Sequence, residues 1–501
     1  MNILVTGATG YIGGRLLPRL LEHTPKTTHV RTLVRDKTRF LAVGESGKTW
    51  VHDVDVAQAD VLSNDNLEAP LTNIDVAYYL IHSMGASAKG FEDRDKQAAA
   101  NFANAAKRAG VKHIIYLGGL GDASRGISSH LESRQETGRV LASTGIPVTE
   151  FRAAIIVGSG SLSFEMIRYL TERLPVMVTP KWVNTRIQPI AVRDVLSYLL
   201  QAPEHRPDGH AIIEIGGPEV LTYREMMLGY AKARGLTRRM FGTKVLSPQL
   251  SSYWVNIVTP IPAAIARPLI QGLGSEVIVH HPEPAGAFTV ENLSYQRAVE
   301  LALKRNAQGA VETLWSGSLA AVPRGTPAAQ KLEQQRLQDT QGMLIDKRIR
   351  QFKIPPEYLF KAVVRIGGDE GWYSFNWLWQ IRGLLDRLIG GVGMRRGRRD
   401  PNSLLPGDAL DFWRVEDVEE GSFLQLHAEM KVPGQAWLRF DVQPAANGSE
   451  VTQTAFFEPK GLLGVLYWWA IYPLHLLVFP SMIRAIGKRA EDYHKSAVVQ
   501  Q

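Results

Sequence analysis

Residues 1–13 read MNILVTGATGYIG, and this stretch decides the fold of the first part of the chain. Asn2–Thr6 is a short apolar run with strand character, and Ile12–Leu21 has helical spacing. Between them, Thr6-Gly7-Ala8-Thr9-Gly10-Tyr11-Ile12-Gly13 forms the pattern TGxxGxxG where strand turns into helix. Each glycine has a mechanical use. Gly7 permits the tight turn, Gly10 lets the main chain approach a diphosphate, and Gly13 lets the helix pack close to the strand. The diphosphate then sits at the positive end of the helix. Thr6, Gly7, Thr9, Gly10, Tyr11, Ile12 and Gly13 are therefore candidate residues for binding a dinucleotide.

Moving outward, the second strand-like run, Val30–Val34, ends at Arg35, 22 residues beyond Gly13. An acidic residue at about this distance holds the ribose hydroxyls of NAD(H), whereas a guanidinium suits the 2′-phosphate of NADP(H). Arg35 favours NADP(H) over NAD(H); Asp36 beside it keeps NAD(H) open. Asp60 and Val61 follow the third strand, either reaching toward the adenine or forming a plain loop. Tyr79, His82 and Ser83 lie at the end of the fourth strand, Val76–Ile81, where the crevice of such a sheet opens. The alternative places Tyr79 in the core and leaves His82 to cap a turn. Ile114–Leu117 and Val148–Phe151 are further strands, and Asp93–Ala109 and Glu132–Ala142 are helices between them. This alternation predicts an α/β fold, a doubly wound parallel Rossmann sheet.

The bulk numbers set the outer bounds. A length of 501 residues implies two or three domains, and a hydrophobic share of 45% is enough for a sizeable core. With no cysteine, disulfides, thiolate metal sites and cysteine nucleophiles are excluded. A cysteine-free chain fits a reducing cytoplasm. The net charge of +8 favours anionic partners, phosphates or acidic lipid, and no nucleic-acid motif accompanies it. No metal is expected, since His280 and His281 are merely adjacent. The amino terminus reads as strand and turn, so no signal peptide is expected.

With these motifs in place, the first 300 residues resemble the extended and atypical short-chain dehydrogenase/reductases, of the NmrA-like or nucleoside-diphosphate-sugar epimerase-like kind. Besides TGATGYIG, the resemblance rests on Ile114–Leu120 (IIYLGGL), Phe151–Ala154 (FRAA), Gln188–Val195 (QPIAVRDV) and Ile215–Pro218 (IGGP) with Leu221-Thr222-Tyr223. Catalytic members of that family carry Tyr-x-x-x-Lys on the helix after the fifth strand. Here His130 stands at the tyrosine position and Arg134 at the lysine position, and Gly118-Gly119 replace the usual serine region. The resemblance leaves two readings of His130 and Arg134. Either His130 exchanges the proton, as an imidazole can near neutral pH, while Arg134 binds a ribose or substrate anion, or the pair is structural. The first reading implies an NADP(H)-dependent oxidoreductase or epimerase-like enzyme acting on an apolar or nucleotide-linked substrate. The second implies a non-catalytic NADP(H)-binding sensor or scaffold.

The pattern weakens after residue 305, and 306–342 reads as a polar linker. Residues 343–490 have another texture. A strand-like run, LIDKRIRQFKI, and a helical PPEYLFKAVVRIGG precede the strand-like runs Leu410–Val415, Phe423–Glu429, Ala436–Val442 and Glu450–Phe457. A long apolar segment closes the domain, so its class is α+β. Its motifs, among them Gly371-Trp372-Tyr373 and Asp411-Phe412-Trp413-Arg414-Val415, resemble an uncharacterised domain that accompanies atypical reductases in bacteria. The order of elements resembles the START/polyketide-cyclase helix-grip, which implies an apolar cavity. Asp408 and Asp411 make a carboxylate pair with no third group to support catalysis.

Gly461–Pro480, GLLGVLYWWAIYPLHLLVFP, carries no formal charge over a bilayer's span. Pro473 and His475 lie mid-segment and the sheet needs a cover, so a core helix is expected rather than a span. The expected location is the cytoplasm, with contact to the inner membrane face through 461–484 and the basic run Arg395, Arg396, Arg398 and Arg399. A third functional reading follows, a membrane-associated lipid-handling protein.

Overall fold

The computed structural model describes residues 1–25, 27–37, 40–41, 49–63, 66–81, 91–122, 126–242, 272–307, 337–340, 342–389, 393, 400 and 402–499. The chain divides into two units, Met1–Val322 and Pro323–Gln501.

The first unit opens with β1 (Asn2–Thr6), α1 (Gly13–His23), β2 (His29–Val34), β3 (Asp55–Gln58), the single turn α2 (Glu68–Leu71), β4 (Val76–Tyr79), α3 (Phe91–Ala109), β5 (His113–Gly119), α4 (Ser129–Ala142) and β6 (Val148–Ala153). It continues through β7 (Ile156–Val157), α5 (Leu162–Arg173), β8 (Val176–Thr179), β9 (Arg186–Ile187), β10 (Ile190–Ala191), α6 (Val192–Gln201), β11 (His210–Ile215), β12 (Leu221–Thr222), α7 (Tyr223–Ala233), β13 (Arg239–Gly242) and α8 (Tyr295–Ala307). Seven parallel strands form one sheet in the order β11-β6-β5-β4-β1-β2-β3. This is the doubly wound Rossmann arrangement. Its order reverses between β1 and β4, where open sheets of this kind hold their ligands.

The apolar run of β1 explains its central place. Ile3 and Val5 face one core layer with Leu16, Leu17 and Leu20 of α1, while Leu4 faces the other with α3. A strand buried on both faces must be apolar throughout. The Gln188–Val195 motif has a structural use. The Gln188 side chain donates to the Gly217 carbonyl at 2.7 Å and accepts from Val279 N at 3.0 Å. Asp194, buried at the start of α6, accepts from Leu293 N at 2.7 Å. Late segments are thereby tied to the sheet.

The second unit comprises β14 (Leu337–Thr340), β15 (Met343–Phe352), α9 (Pro356–Val364), α10 (Asn376–Leu388), β16 (Ala409–Leu410), β17 (Trp413–Glu419), β18 (Phe423–Ala428), β19 (Gly434–Ala445), β20 (Gly448–Pro459) and α11 (Gly461–Val499). Its antiparallel sheet runs β14-β15-β20-β19-β18-β17-β16. The linker reading of 306–342 needs correction at its end, because β14 pairs with β15 as a hairpin. Four mostly polar residues are too few to show a period of two. The final helix also runs past 490, to Val499.

Over Gly461–Pro480 the helix is covered on one side only, with Trp468 buried against Leu344 and Phe457. From Val478 onward α11 packs into the core through Phe479, Met482, Ile483 and Ile486. Before that, Leu463 is 73% exposed and Trp469 51%. By length and composition this helix could cross a membrane, and 22% of its most apolar window is buried.

Candidate functional site

The glycine corner joins β1 to α1 beside β4, at the switch point of the sheet. Gly7 has φ +70°, a conformation that side chains with a Cβ rarely adopt. An added Cβ would stand 2.5 Å from the Leu80 carbonyl oxygen. At Gly13 a Cβ would run into the Gly7 carbonyl, and at Gly10 it would lie 3.1 Å from the same oxygen. Gly10 N donates to Gly7 O at 2.9 Å, closing the turn. The chain can follow this path only without side chains at these positions. A bare main-chain corner at a helix start is what a diphosphate needs, so the residues present fit a dinucleotide.

The structure gives the surrounding candidates different uses. Thr6 is fully buried, and its hydroxyl donates to Tyr78 O and accepts from Leu80 N, both at 3.0 Å. It is a strut between β1 and β4, which fixes the corner from behind. Thr9 is exposed on the corner, and Ile12 precedes α1 as its N-cap. Tyr11 lies under the Arg15 guanidinium, 4.6 Å from its ring centroid. Arg15 itself is 1% exposed and donates to Ser159 O at 2.7 Å. Sequence reading missed this buried cation two residues past Gly13, because an arginine on a helix ordinarily reads as solvated.

Arg35 is exposed directly after β2, beside Asp36. Asp60 Oδ1 accepts from Leu62 N at 3.0 Å, which makes it a turn former, and Val61 is buried in the core behind α3. Tyr79 requires correction as a cofactor residue. It is 1% exposed, packed on Phe102 and Tyr116 at ring distances of 5.0 and 6.2 Å, and burial holds its phenol well above the usual range. Its position on β4 points it into the layer covered by α3. His82 and Ser83, like Arg395, Arg396, Arg398 and Arg399, lie outside the described residues.

His130 is half-buried in the first turn of α4, whose N-cap Ser128 accepts from Leu131 N at 3.4 Å. Arg134 lies across the end of β5. One of its Nη atoms donates to the Leu117 carbonyl, and its own carbonyl accepts from Tyr116 Oη at 2.9 Å. Gly119 makes room for this, since a Cβ there would meet Leu131 Cδ2 at 2.7 Å and Arg134 Cδ at 3.3 Å. At least one guanidinium nitrogen thus serves the strand end, which favours the structural reading of Arg134.

Two further features escaped sequence reading. Glu150 on β6 is fully buried and accepts from Arg152 Nε and His210 Nε2, each at 2.7 Å. Gly118 and Gly138 leave the space that its carboxylate fills. A narrow apolar cleft is lined by Ile155, Met166, Ile167, Trp182, Tyr223 and Met227, from the second half of the unit. A polar cleft at the opposite end of the strands, around Asn2, Arg31 and Asp55, lies at their amino ends, the wrong end for a nucleotide. In the second unit, Asp411 Oδ2 accepts from Trp372 Nε1 at 2.8 Å and Asp408 Oδ2 accepts from Leu405 N at 2.9 Å. Both carboxylates brace loops.

Comparison with known proteins agrees with this division. Residues 7–149 match a family described as NAD(P)H-binding, and residues 342–482 match one described as protein of unknown function (DUF2867). The first unit therefore carries an NAD(P)H-binding domain. No curated protein matches the chain. Among solved structures, the chain is similar to the Citrobacter sp. triphenylmethane reductase complexed with NADP(H), at 19% identity over 60% of this chain and 100% of that one, with a TM-score of 0.48. It is also similar to a nucleoside-diphosphate-sugar epimerase from Staphylococcus aureus, at 18% identity over 60% and 100%, TM-score 0.48. A third is the NADPH-dependent quinone oxidoreductase from Escherichia coli complexed with NADPH, at 19% over 59% and 98%, TM-score 0.46.

Proposed function

We propose that the first unit is an NADPH-dependent reductase for an apolar carbonyl-type substrate. The glycine corner carries this reading, and Arg35 supports the choice of NADPH. When bound, NADPH supplies a hydride. The chain's own part is to bind and to move a proton. Main-chain amides after Gly7 hold the diphosphate, and Arg35 meets the 2′-phosphate with charge-assisted hydrogen bonds. The apolar side chains of Ile155, Met166, Trp182 and Tyr223 offer the apolar body of the substrate a surface to rest on, the cleft between them being too narrow to enclose it. His130 delivers the proton that accompanies the hydride.

Arg35→Ala is expected to weaken NADPH about 10- to 100-fold, the equivalent of one or two charge-assisted hydrogen bonds, while NADH changes little. Fluorescence titration with both nucleotides checks this; equal losses for the two would assign Arg35 no part in the choice. His130→Ala is expected to abolish NADPH oxidation by a panel of hydrophobic carbonyls with the NADPH affinity intact. If wild type binds NADPH and oxidises it with none of them, and His130→Ala alters nothing, the protein is a nucleotide-binding sensor.

A second reading concerns location and rests on the exposed apolar face of the second unit. Trp377, Leu384 and Leu388 of α10 and Leu463, Trp469 and Leu477 of α11 are all more than half exposed. The two helices are neighbours, since Arg382 Nη2 lies 3.4 Å from Tyr467 Oη. We read this face as a dock for an anionic membrane surface from the cytoplasmic side. The charges match. Asp386, the sole acid of α10, is buried, α11 has no acid before Glu491, and Arg395, Arg396, Arg398 and Arg399 follow α10 in sequence. Each basic residue near such a surface adds about 1 kcal/mol. Cosedimentation with phosphatidylglycerol vesicles, absent with phosphatidylcholine and lost in Leu463→Glu/Trp469→Glu, is the expected result. A protein that stays in the supernatant with both, or a wild-type dimer that the double variant splits, overturns it.

A further inference from the structure

The inner face of the second unit's sheet carries polar side chains where a core would ordinarily be apolar. Asp346 and Arg348 project from β15, Gln453 stands directly opposite Arg348 on β20, and His475 comes from α11. Asp346 and Gln453 are fully buried, Arg348 is 8% exposed, and the His475 side chain is 16% exposed.

Their hydrogen bonding is incomplete. Arg348 Nη2 donates to Asp346 Oδ2 at 2.9 Å. His475 Nδ1 stands 3.8 Å from the same oxygen, too far for a hydrogen bond. Among the described residues, Asp346 Oδ1, Arg348 Nε, both amide atoms of Gln453, His475 Nδ1 and Trp468 Nε1 have no partner. Each such atom left bare carries the desolvation penalty of an unmade hydrogen bond. Six in one place outweigh what a single buried ion pair contributes, so the cluster is made to meet something else.

The chemistry of that partner can be read from the inventory. The charges of Asp346 and Arg348 offset each other. Burial, with Arg348 nearby, pushes His475 down to about 4, which leaves its imidazole neutral at physiological pH. A net charge on the partner would therefore be uncompensated. Donors and acceptors are both on offer, Arg348 Nε and Gln453 Nε2 against Asp346 Oδ1 and Gln453 Oε1. The surroundings are aromatic. Phe457 stacks on Trp468 at 5.6 Å, His475 lies on Phe479 at 4.3 Å, and Trp468 stands edge-on to His475 at 5.0 Å.

We propose that Asp346, Arg348, Gln453 and His475 form a binding site for the hydroxyl or carbonyl head of a neutral, flat, apolar molecule. Its body lies among Phe457, Trp468 and Phe479, and His475, the least buried of the four, is the edge from which it enters. The site does not depend on the reductase reading of the first unit.

Calorimetric titration of the full-length protein with 1-naphthol tests this, with naphthalene as the molecule lacking a head. 1-Naphthol is expected to bind at least about tenfold more tightly than naphthalene, the value of one or two hydrogen bonds. Gln453→Leu is expected to lose that difference and to keep or raise Tm, because it removes two orphaned atoms from the core. His475→Phe, which keeps the ring on Phe479, is expected to weaken 1-naphthol in the same way. The proposal is overturned if 1-naphthol binds no better than naphthalene, or if both variants bind it as wild type does, in which case the cluster holds water alone. A fall in Tm for Gln453→Leu with binding intact overturns it as well, by making the amide a structural group.

Discussion

Gly7→Val abolishes NADPH binding by the first unit, with an expected loss above ~100-fold, or about 3 kcal/mol. The φ of +70° is one that a β-branched residue avoids, and that strain alone is on the order of 1–3 kcal/mol. The contact is worse than the strain. The new Cβ would stand 2.5 Å from the Leu80 carbonyl oxygen. Leu80 has no freedom to retreat, since its own amide is held by the Thr6 hydroxyl at 3.0 Å. The turn must open, and the amides at the start of α1 lose their aim. Titration by NADPH fluorescence reads the loss, and circular dichroism checks that the sheet survives. Gly10→Ala serves as the milder companion, because its Cβ would lie 3.1 Å from Gly7 O and a few tenths of an ångström relieve it. It should fold and bind more weakly. Wild-type affinity in both variants would remove the corner from the cofactor site.

The second large effect is on stability. Trp372→Ala should destabilise the second unit by about 4–5 kcal/mol, at the upper end for loss of a buried aromatic. Trp372 is fully buried, stacked parallel on Phe412 at 6.2 Å and tilted against Trp379 at 5.4 Å and Trp413 at 6.0 Å. Its indole N–H donates to Asp411 Oδ2, and removing it takes a charge-assisted bond from a carboxylate that is itself buried. Asp411 sits at φ +53°, so the loop loses the contact that fixes an unfavourable backbone. Denaturant unfolding of wild type and variant gives the difference, and NADPH titration of the variant shows whether the first unit is left intact. A shift below about 1 kcal/mol would mean that the aromatic cluster collapses over the gap.

The sheet of the first unit was legible because its signal is local. TGATGYIG marks a strand, a turn and a helix within eleven residues of Asn2, and each later strand is a compact apolar run. What the sequence did not disclose is the direction in which a given side chain points. Tyr79 stands on the right strand for the crevice yet turns into the layer beneath α3. Thr6 looks like a phosphate contact and acts as a strut. Arg134 occupies a catalytic position by spacing and spends a nitrogen on the Leu117 carbonyl. Arg15 and Glu150 were invisible for the opposite reason, since charges are read as surface until a three-dimensional partner is known. In the second unit the strands were legible from their alternation, but β14 was too short. In the α11 segment, apolar composition alone did not show which side of the helix would be covered and which left exposed.

Arg15 and Arg35 differ in their access to counterions. A buried guanidinium such as that of Arg15 over the Tyr11 ring is little screened by added salt, whereas one in open water is screened within about 10 Å at moderate salt. If Arg35 selects the phosphorylated nucleotide as proposed, added salt should erode that selectivity well before it erodes the affinity of the glycine corner for nicotinamide dinucleotides as a class, so that the protein becomes less selective in brine while remaining a binder.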